Sequence, residues 1–299
     1  MTFKIRKLAT ALVAAGTLGI GSAYAGIVVN DWTLNLGNVT GAGLAGTVIG
    51  IDQIQFTGIA HQVATIDNGA PIPVGGTSTT TGLLTGTSFL HNGGVILANG
   101  GLNAIPGFEL TMVFNVAGIV TAPASPTAST FTHLAGAAAG ATGLLEIYIE
   151  NLATAGSIQS NQGTGAGYSD GNSIKIATFS VNAGLGGVFT PNTFNGSDDA
   201  SFSWVSGMAN VIQNGLGQDL GNNALLAVTA SQFDADPDNI GRPTVSCPGA
   251  GGVVVFTPTN FCAQEDGRAS LQTVPEPTSL ALVGLALAGF GASRRKSRK

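Results

Sequence analysis

Apolar and polar side chains alternate with period two along much of this chain, the pattern of a strand with one buried face. In FELTMVF, Phe108, Leu110, Met112 and Phe114 share one face, and Glu109 and Thr111 take the other. LLEIYIEN repeats the scheme, with Leu145, Ile147 and Ile149 predicted inward and Glu146, Tyr148 and Glu150 outward. IVVNDWTLNL, TVIGIDQIQFTGIAHQV, SIKIATFSV and ASFSWVSG read as further half-buried strands, and GGVVVFTP as a short apolar one. Turn clusters separate them: DNGAPIPVGG, TAPASPTAST, SNQGTGAGYSDGNS, NTFNGSDD and DADPDNIGRP. Only THLAGAAAGATG and DLGNNALLAVTASQF hold enough Ala and Leu for a short helix. Many short strands between turn signals predict an all-β domain, a single β-sandwich-like unit with Greek-key connections. A parallel β-helix is the competing fold, and the lack of a fixed repeat period counts against it. TAPASPTAST, residues 121–130, is the best internal linker, but it is too weak a signal to divide the domain.

The pattern changes at both ends. Met1–Lys7 carries Lys4, Arg6 and Lys7 and no acid, and an apolar run then leads to Ala23-Tyr24-Ala25. A basic region, an apolar region and a small-residue cleavage site in that order predict a signal peptide over residues 1–25, cut between Ala25 and Gly26. Gly16, Gly19 and Gly21 argue against a buried helix in its place. At the other end, the apolar span 278–293 lies between Val274-Pro275-Glu276-Pro277 and a basic cluster of Arg294, Arg295, Lys296, Arg298 and Lys299. A bilayer-crossing helix needs about 20 apolar residues, so this one crosses only with local thinning and snorkelling of the basic side chains. Pro275 and Pro277 cannot continue a helix and mark its start. Cationic residues past a span hold that end in the cytoplasm, which places residues 26–273 outside as the secreted β-rich domain.

The order VPEP, short apolar span, RRKSRK over residues 274–299 resembles the PEP-CTERM sorting signal. That is the tripartite tag of secreted proteins processed by membrane proteases called exosortases, in bacteria that make extracellular polysaccharide. Pro275, Glu276 and Pro277 match the naming motif position by position. The resemblance implies a transient hold in the inner membrane. A transpeptidase-like cut near the motif would then release the domain or transfer it to another surface component. Together with the signal peptide it names the expected partners: the Sec translocon, signal peptidase, an exosortase and extracellular polysaccharide. Beyond the tag, GIVVNDWTLNLG and GLNAIPGFELTMVFNVAG resemble the flocculation-associated PEP-CTERM proteins of floc-forming bacteria. That likeness implies a protein of the cell surface or extracellular matrix that supports adhesion, floc or biofilm formation.

Charge changes the picture once the tags are set aside. Between Gly26 and Pro277 the cations are Lys175, Arg242 and Arg268 against 16 acids, a net charge of −13, which the whole-chain value of −5 conceals. A domain so poor in Lys and Arg has no footprint for nucleic acid or anionic lipid. Charged residues are 9% of the chain, against about 25% in ordinary domains, and Gly, Ser, Thr and Asn supply the polarity instead. Cys247 and Cys262, the two cysteines, are expected to form one disulfide in an exported chain; a metal site would need further His or Cys nearby.

Several constellations suggest chemistry and are weighed against plainer readings. GAGLAG, Gly41 to Gly46, matches a dinucleotide fingerprint, with Asp67 about 20 residues on, but a strand pattern follows where a helix is required. It is read as a loop. Asp234, Asp236 and Asp238 alternate as in the opening of a calcium loop and are the candidate ligands for calcium. Asn239 and Val245 stand where an EF-hand needs Gly and Glu, so a solvated acidic turn is preferred. Glu146 and Glu150 flank Tyr148 and invite a glycosidase reading, but four residues of strand set their α-carbons about 13 Å apart, too far for either glycosidase geometry. His61, His91 and His133 are scattered, with no HExxH and no nucleophile elbow. Trp32, Trp204 and Tyr148 could stack on sugar rings, yet in a chain with 6% aromatics they read as core. Asn38 and Asn195 sit in glycan sequons, and residues 77–88 and 121–130 are the candidate sites for O-linked sugar. No catalytic residue and no cofactor is expected, calcium aside; a carbohydrate- or calcium-binding module is the alternative, and a secreted hydrolase the next.

Overall fold

The period-two segments form strands. A computed structural model of the protein describes residues 27–28, 31–64, 73–92, 94–96, 108–125, 128–151, 173–190, 195–220, 224–234 and 260–273. In chain order the strands are β1 (Ile27–Val28), β2 (Trp32–Asn35), β3 (Thr47–Ile51), β4 (Gln53–Ala64), β5 (Thr77–His91) and β6 (Gly94–Val95). They continue as β7 (Phe108–Ser125), β8 (Ala128–His133), β9 (Leu144–Asn151), β10 (Ile174–Val181) and β11 (Gly186–Thr190). The last are β12 (Asn195–Gly207), β13 (Ile212–Gln213), β14 (Ala224–Asp234) and β15 (Asn260–Thr273), and one 3-10 turn occupies Leu36–Asn38. The signal-peptide residues Ala23, Ala25 and Gly26, the strand expected at GGVVVFTP, and the apolar span lie outside the described residues.

Hydrogen bonding runs β4–β5–β7–β9–β10–β12–β14–β15 and returns from β15 to β4, closing a circuit of strands. All of these steps but β14–β15 are antiparallel by register. Strand direction alternates round an even-numbered ring, so β14–β15 is antiparallel too. The longest strands explain how the ring closes. The first half of β7 pairs with β9 and the second half with β8, while β12 meets β11 through its first residues and β10 through its last. β8 and β11 pair with each other, giving a second bridge between β7 and β12. Closure removes open edges that would otherwise recruit other strands.

The all-β class therefore holds, with one difference from the expected sandwich. In place of two unlinked facing sheets there is one continuous twelve-stranded sheet, with a separate three-stranded sheet β13–β2–β3. The antiparallel registers also exclude a parallel β-helix among the described strands.

The ring is filled as the alternation requires. Phe108, Leu110, Met112 and Phe114 of β7 and Leu145, Ile147 and Ile149 of β9 join Ile54, Phe56, Phe89, Ile176, Phe179 and Phe202 in one core. Trp32, Leu34, Val48 and Ile51 of the small sheet pack into the same cluster. Trp32 meets Phe89 edge-on at 6.4 Å, and Trp204 meets Phe179 edge-on at 5.3 Å. Gly82 on β5 is required by close approach, because any β-carbon there would run into the ring of Phe114.

Four local expectations fail. THLAGAAAGATG forms turns closed by an Ala138–Ala141 bridge, since its glycines cost a helix more than its alanines give. ALLAVTASQFD is strand β14 because β12 offers it a full partner, with Phe202 opposite Leu226 and Ala200 opposite Val228. The turn expected at NTFNGSDD is already β12 from Asn195 onward; the turn cluster 121–130, too weak a linker signal to divide the domain, falls within the β7–β8 hairpin. The face of β7 and β9 expected to be wet is also largely covered. Glu109 is 8% exposed and Glu150 1%, beside a second apolar cluster of Leu83, Val113 and Tyr148.

Candidate functional site

The residues singled out for processing lie just beyond the last strand. Ten residues of β15, Asn260 to Ala269, pair in unbroken register with β4 from Val63 back to Ile54, and the strand continues to Thr273. Val274, Pro275, Glu276 and Pro277 follow directly in sequence. These four, and the basic residues Arg294, Arg295, Lys296, Arg298 and Lys299, lie outside the described residues. So do Asp236 and Asp238 of the calcium candidate, while Asp234 ends β14. Cys262 is buried on β15 opposite His61, and Cys247 is outside the described residues.

At one end the interior of the ring turns polar. Inward positions on β4 and β5 that carry Ile54, Phe56 and Leu84 farther along carry Gln62, Ser78 and Thr80 here, and β15 adds Glu265. His133, at the end of β8, is 4% exposed and donates from Nε2 to Asp198 of β12 at 2.9 and 3.0 Å. The two residues are far apart in sequence, and only the β8–β11–β12 bridge brings them together. Nothing in the local pattern around either residue signals the pair. The cavity they line measures about 30 Å³, room for roughly two waters. Small-molecule sites are usually about 300–1,000 Å³, so this chamber suits water and not a sugar ring.

Outside the ring, the paired glutamates are separated in role as well as in distance. Glu146 accepts from Lys175 Nζ at 2.7 Å and from the Tyr148 hydroxyl at 2.8 Å. Burial alone would raise its pKa, but the Lys175 bond and charge and the Tyr148 bond outweigh it and hold the carboxyl below its ordinary value. Tyr148 is pushed up, first by burial and then by the bond to Glu146 and its charge. Glu150 lies across from Glu109, whose Oε1 accepts from Thr85. A carboxylate held ionised by a cation is poorly suited to be a general acid.

The Lys175–Glu146–Tyr148 contacts set a pH signature. Glu146 has a lowered folded pKa, so its contribution is present above the unfolded carboxylate value near ~4.3 and is lost as pH falls through the folded value. Tyr148 has a raised folded pKa, so its contribution is present below ~10 and is lost as pH rises above that. Tyr148→Phe should flatten the alkaline decline in urea midpoint, and Lys175→Met should weaken the neutral-pH advantage by less than about 1 kcal/mol. Midpoints that ignore both substitutions at every pH would contradict this.

Most of the remaining candidates are engaged in packing or hydrogen bonds of the fold. Trp32 is 2% exposed and belongs to the core, so it has no face for a sugar. His61 bonds to Asn260 at 2.8 Å on the ladder between β4 and β15. His91 ends β5 at the opposite end from Ser78. GAGLAG is a loop leading into β3, as its strand-like sequel implies. The Asn38 amide is engaged by the Asn210 carbonyl at 2.8 Å, and the Ser/Thr tract at 77–88 is strand β5.

Among curated proteins and among solved structures, none matches this chain. Residues 273–296 match the family model described as the PEP-CTERM protein-sorting motif. That match covers Pro275-Glu276-Pro277, the apolar span and the first basic residues in the order the motif requires. The chain carries a PEP-CTERM sorting motif, and by that motif it is an exosortase-targeted extracellular protein with a membrane-anchored intermediate before surface display.

Proposed function

We propose that this chain is a non-catalytic protein of the cell surface or extracellular matrix, supporting adhesion, floc or biofilm formation with exopolysaccharide. The sorting motif carries the reading, since it addresses the domain to the outside through exosortase processing. Two features of the domain agree with a passive role. The polar chamber is too small for a sugar ring, and Glu146 is committed to Lys175 and Tyr148. A net charge of −13 would repel an acidic polysaccharide directly, so association would run through shared divalent cations. In this reading the Sec translocon threads the chain outward and signal peptidase removes residues 1–25. A disulfide between Cys247 and Cys262 would lock the approach to β15 outside the cell.

Deleting the protein, with the processing enzyme deleted in parallel, tests this. The proposal expects loss of floc formation in both strains, restored by adding back the complete gene. Unchanged flocs in the strain lacking the protein would reject the adhesive role while leaving the sorting motif untouched.

A further inference from the structure

We propose that Asp31, Asp52 and His91 form a binding site for a divalent transition metal of the zinc class, tying the small sheet to the ring. Three separate segments bring the ligands together. Asp31 immediately precedes β2, Asp52 is the single residue between β3 and β4, and His91 is the last residue of β5. The β4–β5 register sets Gln53 opposite Leu90, which leaves Asp52 and His91 side by side at the end of the hairpin.

The distances favour coordination over direct pairing. His91 Nδ1 lies 3.3 Å from Asp31 Oδ1 and 3.5 Å from Asp52 Oδ1, and donor atoms of all three residues fall within 4.8 Å of one another. Good N–H···O bonds measure about 2.7–3.2 Å, so these contacts are long for hydrogen bonds. Zinc bonds of about 2.0–2.1 Å in tetrahedral array put neighbouring ligand atoms roughly 3.3 Å apart, which matches both contacts to His91. The imidazole nitrogen disfavours calcium and magnesium, and the absence of a thiolate from this donor set disfavours copper(I).

The surroundings are arranged as a metal site requires. Asp52 is 9% exposed and already fixed, accepting from the Asn92 backbone N–H at 2.6 Å. The other nitrogen of His91 faces the Asn92 side-chain amide at 2.9 Å. A metal on Nδ1 makes Nε2 a donor, and the Asn92 amide, turned about its own axis, presents the oxygen that accepts from it. Gly50 sits at φ +72°, where a side chain is strained, and a β-carbon there would stand 3.7 Å from His91 Nδ1 and 3.8 Å from Asp31 Oδ1. Its lack of a side chain leaves room beside the donors. Asp31 and His91 are open to solvent, with side chains 59% and 42% exposed, so water can supply the fourth ligand.

The test uses the full chain, purified and stripped of metal with a chelator, then titrated with zinc by calorimetry in the presence of excess calcium and magnesium. One equivalent should bind and raise the melting temperature. Asp31→Asn and His91→Gln should each weaken binding at least tenfold, since even loss of a group that only orients a ligand costs about 10–100-fold. Their metal-free melting temperatures should stay unchanged, since both residues are exposed. Asp234→Asn should leave the titration as it is, which separates this site from the acidic turn. Cobalt(II) in place of zinc should give the intense visible absorption of a tetrahedral site in the parent chain and lose it in either variant. Absence of saturable zinc binding, or binding that survives both substitutions, would overturn the proposal.

Discussion

Replacing Pro275, Glu276 and Pro277 together with alanine is expected to leave the protein in the membrane fraction and cut its release outside the cell more than tenfold. The physical reason lies in backbone stiffness. Each proline fixes φ near −65° and lacks an N–H, so by sequence Pro275-Glu276-Pro277 is expected to resist joining any helix formed by the apolar residues that follow. Alanines would let the span extend backward toward β15, which runs as far as Thr273. A membrane protease that reads the extended segment would then meet helix. Loss of about 1.4 kcal/mol of recognition already means tenfold in affinity, and removal of shape and charge together should exceed that. Glu276→Gln separates the two contributions, because it keeps the prolines and removes only the carboxylate. Membrane and extracellular fractions compared by immunoblot give the readout. Full release of the triple-alanine chain would show that the apolar span and basic tail suffice.

The second large effect concerns the ring itself. Phe179→Ala should destabilise the domain by about 3–5 kcal/mol, the usual cost of emptying a large buried aromatic. Phe179 is fully buried in the second half of β10, opposite Leu145 of β9 on one side and Trp204 of β12 on the other. It therefore sits where β9 and β12 are joined, and its ring braces the indole of Trp204. Domains are stable by about 5–15 kcal/mol in all, so this one change removes a large share. Val205→Ala, on the same strand as Trp204 but 53% exposed, should stay within about 0.5 kcal/mol. Urea unfolding followed by tryptophan fluorescence measures both. Equal effects from the two substitutions would mean that the ring is not the cooperative unit.

The strands were readable because alternation is local. FELTMVF and LLEIYIEN place the same residues inward in the fold as in the pattern, down to Met112 and Ile149. Closure of the ring was not readable, because it depends on β7 and β12 each changing partner halfway along, and no period in the chain marks the change. The outward face of β7 and β9 misled for a related reason. Glu109 and Glu150 carry charge, which reads as wet, yet register sets them opposite each other beside Leu83 and Val113. Two groupings of chemistry stayed hidden because their members are distant in sequence. His133 meets Asp198 through the second bridge, and His91 meets Asp31 and Asp52 through the β4–β5 hairpin. The sorting motif was legible outright, since its three parts are consecutive and need no fold to be recognised.

Intact-mass measurement of material recovered from outside producing cells bears most directly on all of this. Threading through the membrane and clipping from its greasy stub predict a polypeptide that starts at Gly26 and lacks the stretch from Leu280 to Lys299. A mass for the uncut 299-residue chain, arginine-rich end included, would contradict it.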